Sequence, residues 1–313
     1  MNKKSWEKRE KKFKFIDLFA GIGGFRIPFE ELNGENVFSS EIDKFASKTY
    51  EVNFKNKISG DIKLISEKTI PPFDILLAGF PCQPFSNAGL KKGFKDERGM
   101  LFFEIKRIIK YHLPKVILLE NVKGLKNHKN GTTLIKMKKI LNEVGYKVYD
   151  KILNAKNFGV PQNRERIYIV GFLKEKKIFN FPKSQKIQTK LGDILEKNVE
   201  NKYTISNKLW EGHKRRKTKH KAKGNGFGYS LFDKNSPYTS TISARYYKDG
   251  SEILIKQKNQ NPRKLTPREA ARLQGFPEDF DIPVSDNQAY KQFGNAVAIP
   301  VIRALAKNIL NSI

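Results

Sequence analysis

The chain has 313 residues, enough for one large domain or two unequal ones, and its 61 Lys+Arg against 32 Asp+Glu leave a formal net charge of +29 that points to a polyanionic partner, nucleic acid first. A single cysteine, Cys82, excludes an internal disulfide and any multi-cysteine zinc site, and His112, His128, His213 and His220 show no metal-ligand spacing, so no metal is expected. No run reaches the length of a membrane span and Met1 to Lys14 has no apolar signal core, so a cytoplasmic protein away from membranes is expected.

In chain order, Phe15 to Phe19 reads as a strand running into Ala20-Gly21-Ile22-Gly23-Gly24, after which Phe25 to Leu32 is helical. Strand, glycine turn and helix open a nucleotide-type βαβ unit, in which glycines let a ligand approach the backbone. The dinucleotide fingerprint is incomplete, because its third glycine falls at Arg26, and a plain tight turn is the alternative. A second strand, Val37 to Ser40, ends at Glu41, which is placed either to hold both hydroxyls of a ribose or to face solvent. Asp43 caps a helix to Tyr50. A short strand near Ile58 precedes Gly60-Asp61-Ile62, where Asp61 either accepts from an adenine amino group or caps a turn.

Phe73 to Ala78 is an unbroken apolar strand leading into Gly79-Phe80-Pro81-Cys82-Gln83. In a doubly wound sheet that turn lies where reactive groups collect, so Cys82 is a nucleophile if its surroundings favour the thiolate, and an inert thiol otherwise. Gln83 to Gly99, with Ser86, Lys91, Lys92 and Lys95, is long for a connector and reads as a mobile loop able to close over a substrate or as a disordered basic loop. Leu101 to Tyr111 is an amphipathic helix, and Val116 to Leu119 a strand ending at Glu120, a carboxylate facing the same crevice as Cys82. Thr132 to Val144 is helical, and Lys147 to Leu153 and Ile167 to Phe172 are closing strands. Of the two arginines before the last strand, Arg164 and Arg166, expected on opposite faces, one reaches the crevice and the other braces the loop.

The α/β rhythm stops at Lys183. From there to Asn261 the pattern suggests a smaller, irregular, mostly β domain with a DNA-facing surface, including the basic cluster His213 to Lys219, otherwise a solvated loop. Tyr238 to Ser243 is strand-like, and Asp249-Gly250 suggests a hairpin before Ile253 to Ile255. Leu265 to Gly275 is helical, with Thr266 as cap and Pro267 at the first position, and an apolar helix from Ile299 to Leu310 docks back on the first domain. The expected fold is α/β, a doubly wound sheet in residues 1–180 completed by 290–313, with the small domain over 181–289.

Taken together, the stretches Asp17 to Gly24, Gly79-Phe80-Pro81-Cys82-Gln83, Glu120-Asn121-Val122, Gln162-Asn163-Arg164-Glu165-Arg166, Arg263 to Glu269 with Leu273 to Pro277, and Gly294-Asn295-Ala296-Val297 resemble, in order, the motifs of bacterial DNA (cytosine-5) methyltransferases of restriction–modification systems. The resemblance implies a Rossmann-like sheet that binds S-adenosylmethionine through Phe19, Glu41, Asp61 and Asn295, with Leu101 and Val297 lining the pocket. Ala20, Gly21, Gly23, Gly24, Ile42, Ile62, Gly79 and Pro81 complete that set. Ile42 stands where related enzymes often carry an aromatic residue, which weakens stacking on the adenine. Catalysis falls to Cys82, Glu120, Arg164 and Arg166. DNA contacts are expected from Gln83, Ser86, Lys91, Lys92 and Arg98 and, in a target-recognition domain over Lys183 to Asn261, from Arg215, Arg216, Arg245 and the Thr241-Ile242 pair. The resemblance further implies a monomer that methylates double-stranded DNA and protects it from a cognate restriction endonuclease, a functional rather than physical partner. The rivals are a tRNA cytosine-5 methyltransferase and a silent DNA-binding protein on the same scaffold.

Overall fold

Six strands form one sheet: β1 (Phe13–Leu18), β2 (Gly34–Ser40), β3 (Ile75–Gly79), β4 (Val116–Val122), β5 (Lys147–Asn154) and β6 (Glu165–Phe172), paired in the order β2-β1-β3-β4-β6-β5. β1 to β4 run parallel, β6 is antiparallel to β4, and β5 is antiparallel to β6, so β6 runs against the other five. The computed structural model describes residues 10–80, 100–174, 178–185, 187–226 and 228–313. Its contacts divide it into two units, the first made of Met1–Asn154, Glu165–Lys183 and Val301–Ile313, the second of Ala155–Arg164 and Ser184–Pro300. Residues 155–164 and 290–300, expected with the catalytic domain, thus cluster in the second unit.

Within the first unit, Ile75 to Ala78 and Val116 to Leu119 are fully buried, which is why these runs show no alternation: a parallel strand covered on both faces is apolar throughout. The helices are α1 (Arg26–Glu31), α2 (Lys44–Phe54), α3 (Met100–His112) and α4 (Thr132–Glu143). Asp43 caps α2 as expected, accepting from the N–H groups of Phe45 and Ala46. Helix α3 buries Phe102, Ile105, Ile108 and Ile109, and α4 buries Leu134, Met137 and Leu141, each set at helical spacing against Leu76, Ile117 and Leu119 of the sheet. The expected strand near Ile58 is only a bridge between Ser40 and Ser59.

The second unit departs from the mostly β expectation. Among its described residues the strands are β7 (Leu231–Phe232) and β8 (Leu254–Ile255), two residues each, against helices α5 (Asn207–Ala222), α6 (Tyr246–Asp249), α7 (Pro267–Leu273) and α8 (Asp286–Asn295). The basic cluster is part of α5, started by Ser206, whose hydroxyl oxygen accepts from the Leu209 N–H. β7 and β8 are parallel, so no hairpin joins them, and Gly250 (φ 66°) instead ends α6. Tyr238 to Ser243 contributes a single bridge, Thr239 to Gln162. A last helix, α9 (Ile299–Leu310), belongs to the first unit from Val301 on, where Arg303 donates to Glu31 Oε1 at 2.7 Å.

Thr266 and Glu269 form a reciprocal cap at the start of α7, with Pro267 at its first position. Glu269 is fully buried and also takes a two-pronged bond from Arg263 at 2.7 and 2.8 Å and the Glu196 N–H at 2.8 Å. Removing one partner strands a buried charge, so Glu269→Ala should destabilise the fold by about 3–5 kcal/mol. Urea unfolding followed by fluorescence reads this directly, and a loss under about 1 kcal/mol, the size of an ordinary surface pair, would show that the cation finds other partners.

Candidate active site

The carboxyl ends of β2, β1, β3 and β4 lie side by side, because Leu18 pairs with Ser40 and with Ala78, and Gly79 pairs with Glu120. Along that edge the chain reverses sides between β1 and β3, the crevice at which ligands bind in open parallel sheets. Phe19 (φ 57°), Gly21 (φ 56°) and Gly23 (φ 83°) turn the chain through left-handed conformations directly after β1. Ala20 is nearly buried, Gly24 is buried, and the Ala20 N–H donates to the Ser40 carbonyl at 3.0 Å.

Glu41 closes the turn from the side: Oε2 accepts the Gly21 N–H at 2.8 Å and Oε1 the Asp43 N–H at 2.7 Å. Burial raises its pKa, with these backbone donors opposing. Asp61 caps the short turn 62–64 through the Lys63 N–H, and Ile62 behind it is buried. Ile42 is 74% exposed beside Glu41, and Leu101 is half-buried at the start of α3. Cβ atoms built on Gly21 or Gly60 would meet nothing within 4 Å, so both glycines border open space. A carboxylate beside that space, with lone pairs beyond those it already uses, fits a ribose diol, and the set fits S-adenosylmethionine.

Next along the edge, a Cβ on Gly79 would lie 3.7 Å from Glu120 Oε2 and 3.3 Å from the Phe25 ring. Asn121 donates to the Phe80 carbonyl at 3.1 Å, which fixes the chain two residues before Cys82. Pro81, Cys82, Gln83, Ser86, Lys91, Lys92 and Arg98 lie outside the described residues. Sequence reasoning gave Asn121 no separate role; its place directly after Glu120 was the available signal.

Arg166 pairs with Glu120, Nε to Oε1 at 3.1 Å, and both side chains are largely buried. The strand register explains the meeting. Val122 lies opposite Arg166 and Glu120 opposite Tyr168, so Arg166 is the diagonal neighbour of Glu120 on one face. The guanidinium is held from behind by the Glu165 carbonyl at 2.8 Å.

Arg164 does not join them. It is 3% exposed and donates to the carbonyls of Ile242, Gly294 and Ala296 at 3.1, 3.1 and 2.8 Å, all within the second unit. The expectation of one reaching arginine and one bracing arginine holds, but alternation is not the cause. Positions two apart on a strand share a face, and Arg164 simply precedes β6. Expected in catalysis, Arg164 braces backbone carbonyls of the second unit.

Ile242 is fully buried with both backbone groups bonded, so its side chain cannot read a base, and the Thr241 hydroxyl is turned to the Asn163 carbonyl at 2.7 Å. Arg245 and Arg215 are exposed, whereas Arg216 is bonded to Asp249 at 3.0 Å. Asn295 is exposed at the end of α8 and Val297 is buried.

Asp17 is a residue whose chemistry the sequence did not signal. It is fully buried on β1, and neither carboxyl oxygen has a hydrogen-bond partner among the described residues. Burial drives its pKa well up, the Arg26 charge opposes, and the Glu41 charge adds. The folded state therefore holds a proton that the unfolded chain releases at about pH 4, and this residue's ionisation weakens folding as pH rises through that window. Asn has the same shape and no titration. The stability of Asp17→Asn relative to wild type should improve as pH is raised from about 4 to about 8, read from urea midpoints; a difference constant with pH would mean that Asp17 carries no such proton.

Residues 13–311 match the family described as C-5 cytosine-specific DNA methylase. The chain is 62% identical over 307 residues to the Type II methyltransferase M.SsoII of Shigella sonnei, spanning 96% of this chain and 81% of that one. It is 58% identical over 307 residues to the Type II methyltransferase M.DsaV of Dactylococcopsis salina, spanning 97% and 88%. The solved Entamoeba histolytica methyltransferase EhMeth superposes with a TM-score of 0.82 at 25% identity over 96% of this chain and 99% of that one. The S. pombe Dnmt2 methyltransferase gives 0.80 at 21% identity over 96% and 98%, a likeness of fold. With the crevice, the Glu120–Arg166 pair and these matches in agreement, the chain belongs to the C-5 cytosine-specific DNA methylase family.

Proposed function

We propose that this DNA cytosine-5 methyltransferase attacks a cytosine swung out of duplex DNA with Cys82, and that Glu120 and Arg166 stabilise the charge that the attack creates. The observation that carries the reading is the Glu120–Arg166 pair beside Gly79, three residues before Cys82.

Cytosine C5 is a poor nucleophile while the ring is aromatic. Bond formation between the Cys82 sulfur and C6 moves the C5–C6 π electrons into the ring and places negative charge on N3 and O2. Glu120 supplies or shares a proton at N3, and Arg166 holds O2, so the developing charge meets preplaced partners. C5 is then the electron-rich end of an enamine. S-Adenosylmethionine, held by Phe19, Glu41 and Asp61, supplies an electrophilic methyl group when bound. Loss of the C5 proton to a base returns its electron pair to the C5–C6 bond, the sulfur leaves as thiolate, N3 returns its proton to Glu120, and the neutral aromatic base is restored.

The reacting carbon is inaccessible within a duplex, and unstacking one base costs a few kcal/mol. The +29 charge supports phosphate contacts that offset this cost, and the second unit is assigned the reading of base edges. As a partner of a Type II restriction endonuclease acting on the same sequence, the enzyme protects cellular DNA in the cytoplasm and acts as a monomer.

Cys82→Ser should abolish methyl transfer while cofactor and DNA still bind, and wild type should form a stable adduct with duplexes carrying 5-fluorocytosine at the target. Turnover near wild type in the serine variant overturns the covalent route. Glu120→Gln should lower kcat by roughly 10²–10⁴-fold with KM for DNA changed only a few-fold, and a variant that loses affinity alone removes Glu120 from the chemistry. Labelled methyl incorporation into DNA against tRNA fixes the substrate, and bisulfite sequencing gives the target.

A further inference from the structure

The sixteen residues of α5 hold seven lysines and arginines against one carboxylate, Glu211. Three of the seven are engaged, Arg216 and Lys217 with partners outside the helix and Lys214 within it. Arg216 reaches Asp249 at 3.0 Å; although burial opposes it, the Ser251 N–H and Arg216 keep that carboxyl below its usual range. Lys217 donates to the Tyr229 carbonyl at 3.3 Å and stands 4.2 Å from its ring centre, and Lys214 pairs with Glu211 at 2.5 Å. His213, 1% exposed and 3.2 Å from the Asp249 carbonyl, and Trp210, stacked edge-on against Tyr229 at 4.7 Å, define the inward face.

The other four, Lys208, Arg215, Lys219 and Lys221, are exposed and have no ionic or hydrogen-bond partner among the described residues. Lys208, Arg215 and Lys219 recur at seven- and four-residue intervals, a single stripe on the side away from His213. The helix's own energetics call for only the last member of this stripe. Cations in the last turn favour the macrodipole, which accounts for Lys219 and Lys221. Lys208 sits in the first turn, where the dipole opposes a cation, and Arg215 and Lys219 are a repelling pair four residues apart. The outward residues between them, such as Glu211, Gly212 and Thr218, offer no apolar surface to a membrane. From Lys208 to Lys219 the helix advances about 16 Å, enough to span a major groove about 12 Å wide.

We propose that the Lys208–Arg215–Lys219 face of α5 grips the phosphate backbone of duplex DNA without reading its bases, while Arg216, an expected DNA contact, serves to hold the helix down. The inference rests on duplex DNA being the substrate. Each phosphate neutralised steepens the dependence of log affinity on log salt by about 0.9. The triple variant Lys208→Gln, Arg215→Gln, Lys219→Gln keeps good helix formers and removes three charges. Its slope on a duplex of about 30 base pairs should be shallower by roughly 2.7, so the affinity lost between about 50 and 200 mM salt shrinks roughly 40-fold. Two comparisons guard the result. The triple Lys48→Gln, Lys57→Gln, Lys110→Gln, exposed positions in the first unit, lowers net charge equally and should leave the slope within about 0.5 of wild type; the exchange Lys208→Arg, Arg215→Lys, Lys219→Arg should restore it. An unchanged slope in the α5 triple, an equal fall in the first-unit triple, or a fall seen with tRNA but not duplex DNA would overturn the proposal. Wild type showing no salt-dependent duplex binding at all would instead remove the DNA reading beneath it.

Discussion

The lateral pairing of β3 with β4, and of β4 with β6, is the constraint on which the Glu120–Arg166 pair depends. A strand shifted by one residue turns every side chain to the other face, so Glu120 meets both Gly79 and Arg166 only in the register observed. Two features hold that register. Ile75 to Ala78 and Val116 to Leu119 have no polar position that could face solvent after a slip. Opposite Ile117 stands Gly171, where an added Cβ would come within 2.8 Å of the isoleucine side chain, so this pairing accepts glycine and little else. Apolar packing remote from any ligand thereby fixes a carboxylate and a guanidinium to within 3.1 Å.

The glycine turn after β1 is held by a different means. Arg26 is 5% exposed and donates to Glu30, Tyr50 and Asn56 at 2.7, 2.8 and 2.7 Å, bonds that offset the cost of burying its charge. Its guanidinium lies 4.3 Å from the centre of the Phe54 ring, and that ring occupies the space a side chain on Gly23 would need, 2.2 Å from the missing Cβ. Burial, the leading cause, pushes the Tyr50 hydroxyl up to about 12, so it stays neutral and serves both Arg26 and Ser39. Gly23 is required by φ and by Phe54 together, which is a stricter condition than a tight turn imposes.

These supports explain what the sequence could and could not convey. The parallel strands were legible because burial on both faces writes a continuous apolar run, and the α2 cap because Asp43 has one local use. Helix α5 was not legible, since its one buried side chain is His213 and no apolar period marks it. Asp249-Gly250 was read correctly as a reversal and wrongly as a hairpin, because a glycine at positive φ ends a helix as readily as it turns a strand. The charge state of Asp17 depends on Arg26 and Glu41, positions that no spacing rule connects to it.

The same logic accounts for how the second unit keeps order with two-residue strands. Buried N–H and C=O groups need partners, and where ladders are short, side chains must supply them. Gln162 does so for Ile242 and Leu273, Arg164 for Ile242, Gly294 and Ala296, and Gln274 for Phe293 and Ala296. Gly294 lets its turn lie against the backbone of Ser243, since a Cβ there would sit 2.3 Å from that carbonyl. The segment carrying Thr241 and Arg245 and the segment carrying Asn295 are therefore braced by one set of buried amides and a guanidinium. A motif whose first two side chains, Gln162 and Arg164, build this framework and whose third, Arg166, faces Glu120 serves two purposes over five residues. Residue type alone could not separate them: Arg164 and Arg166 carry the same group, and only the start of β6 between them decides which becomes a brace and which meets Glu120.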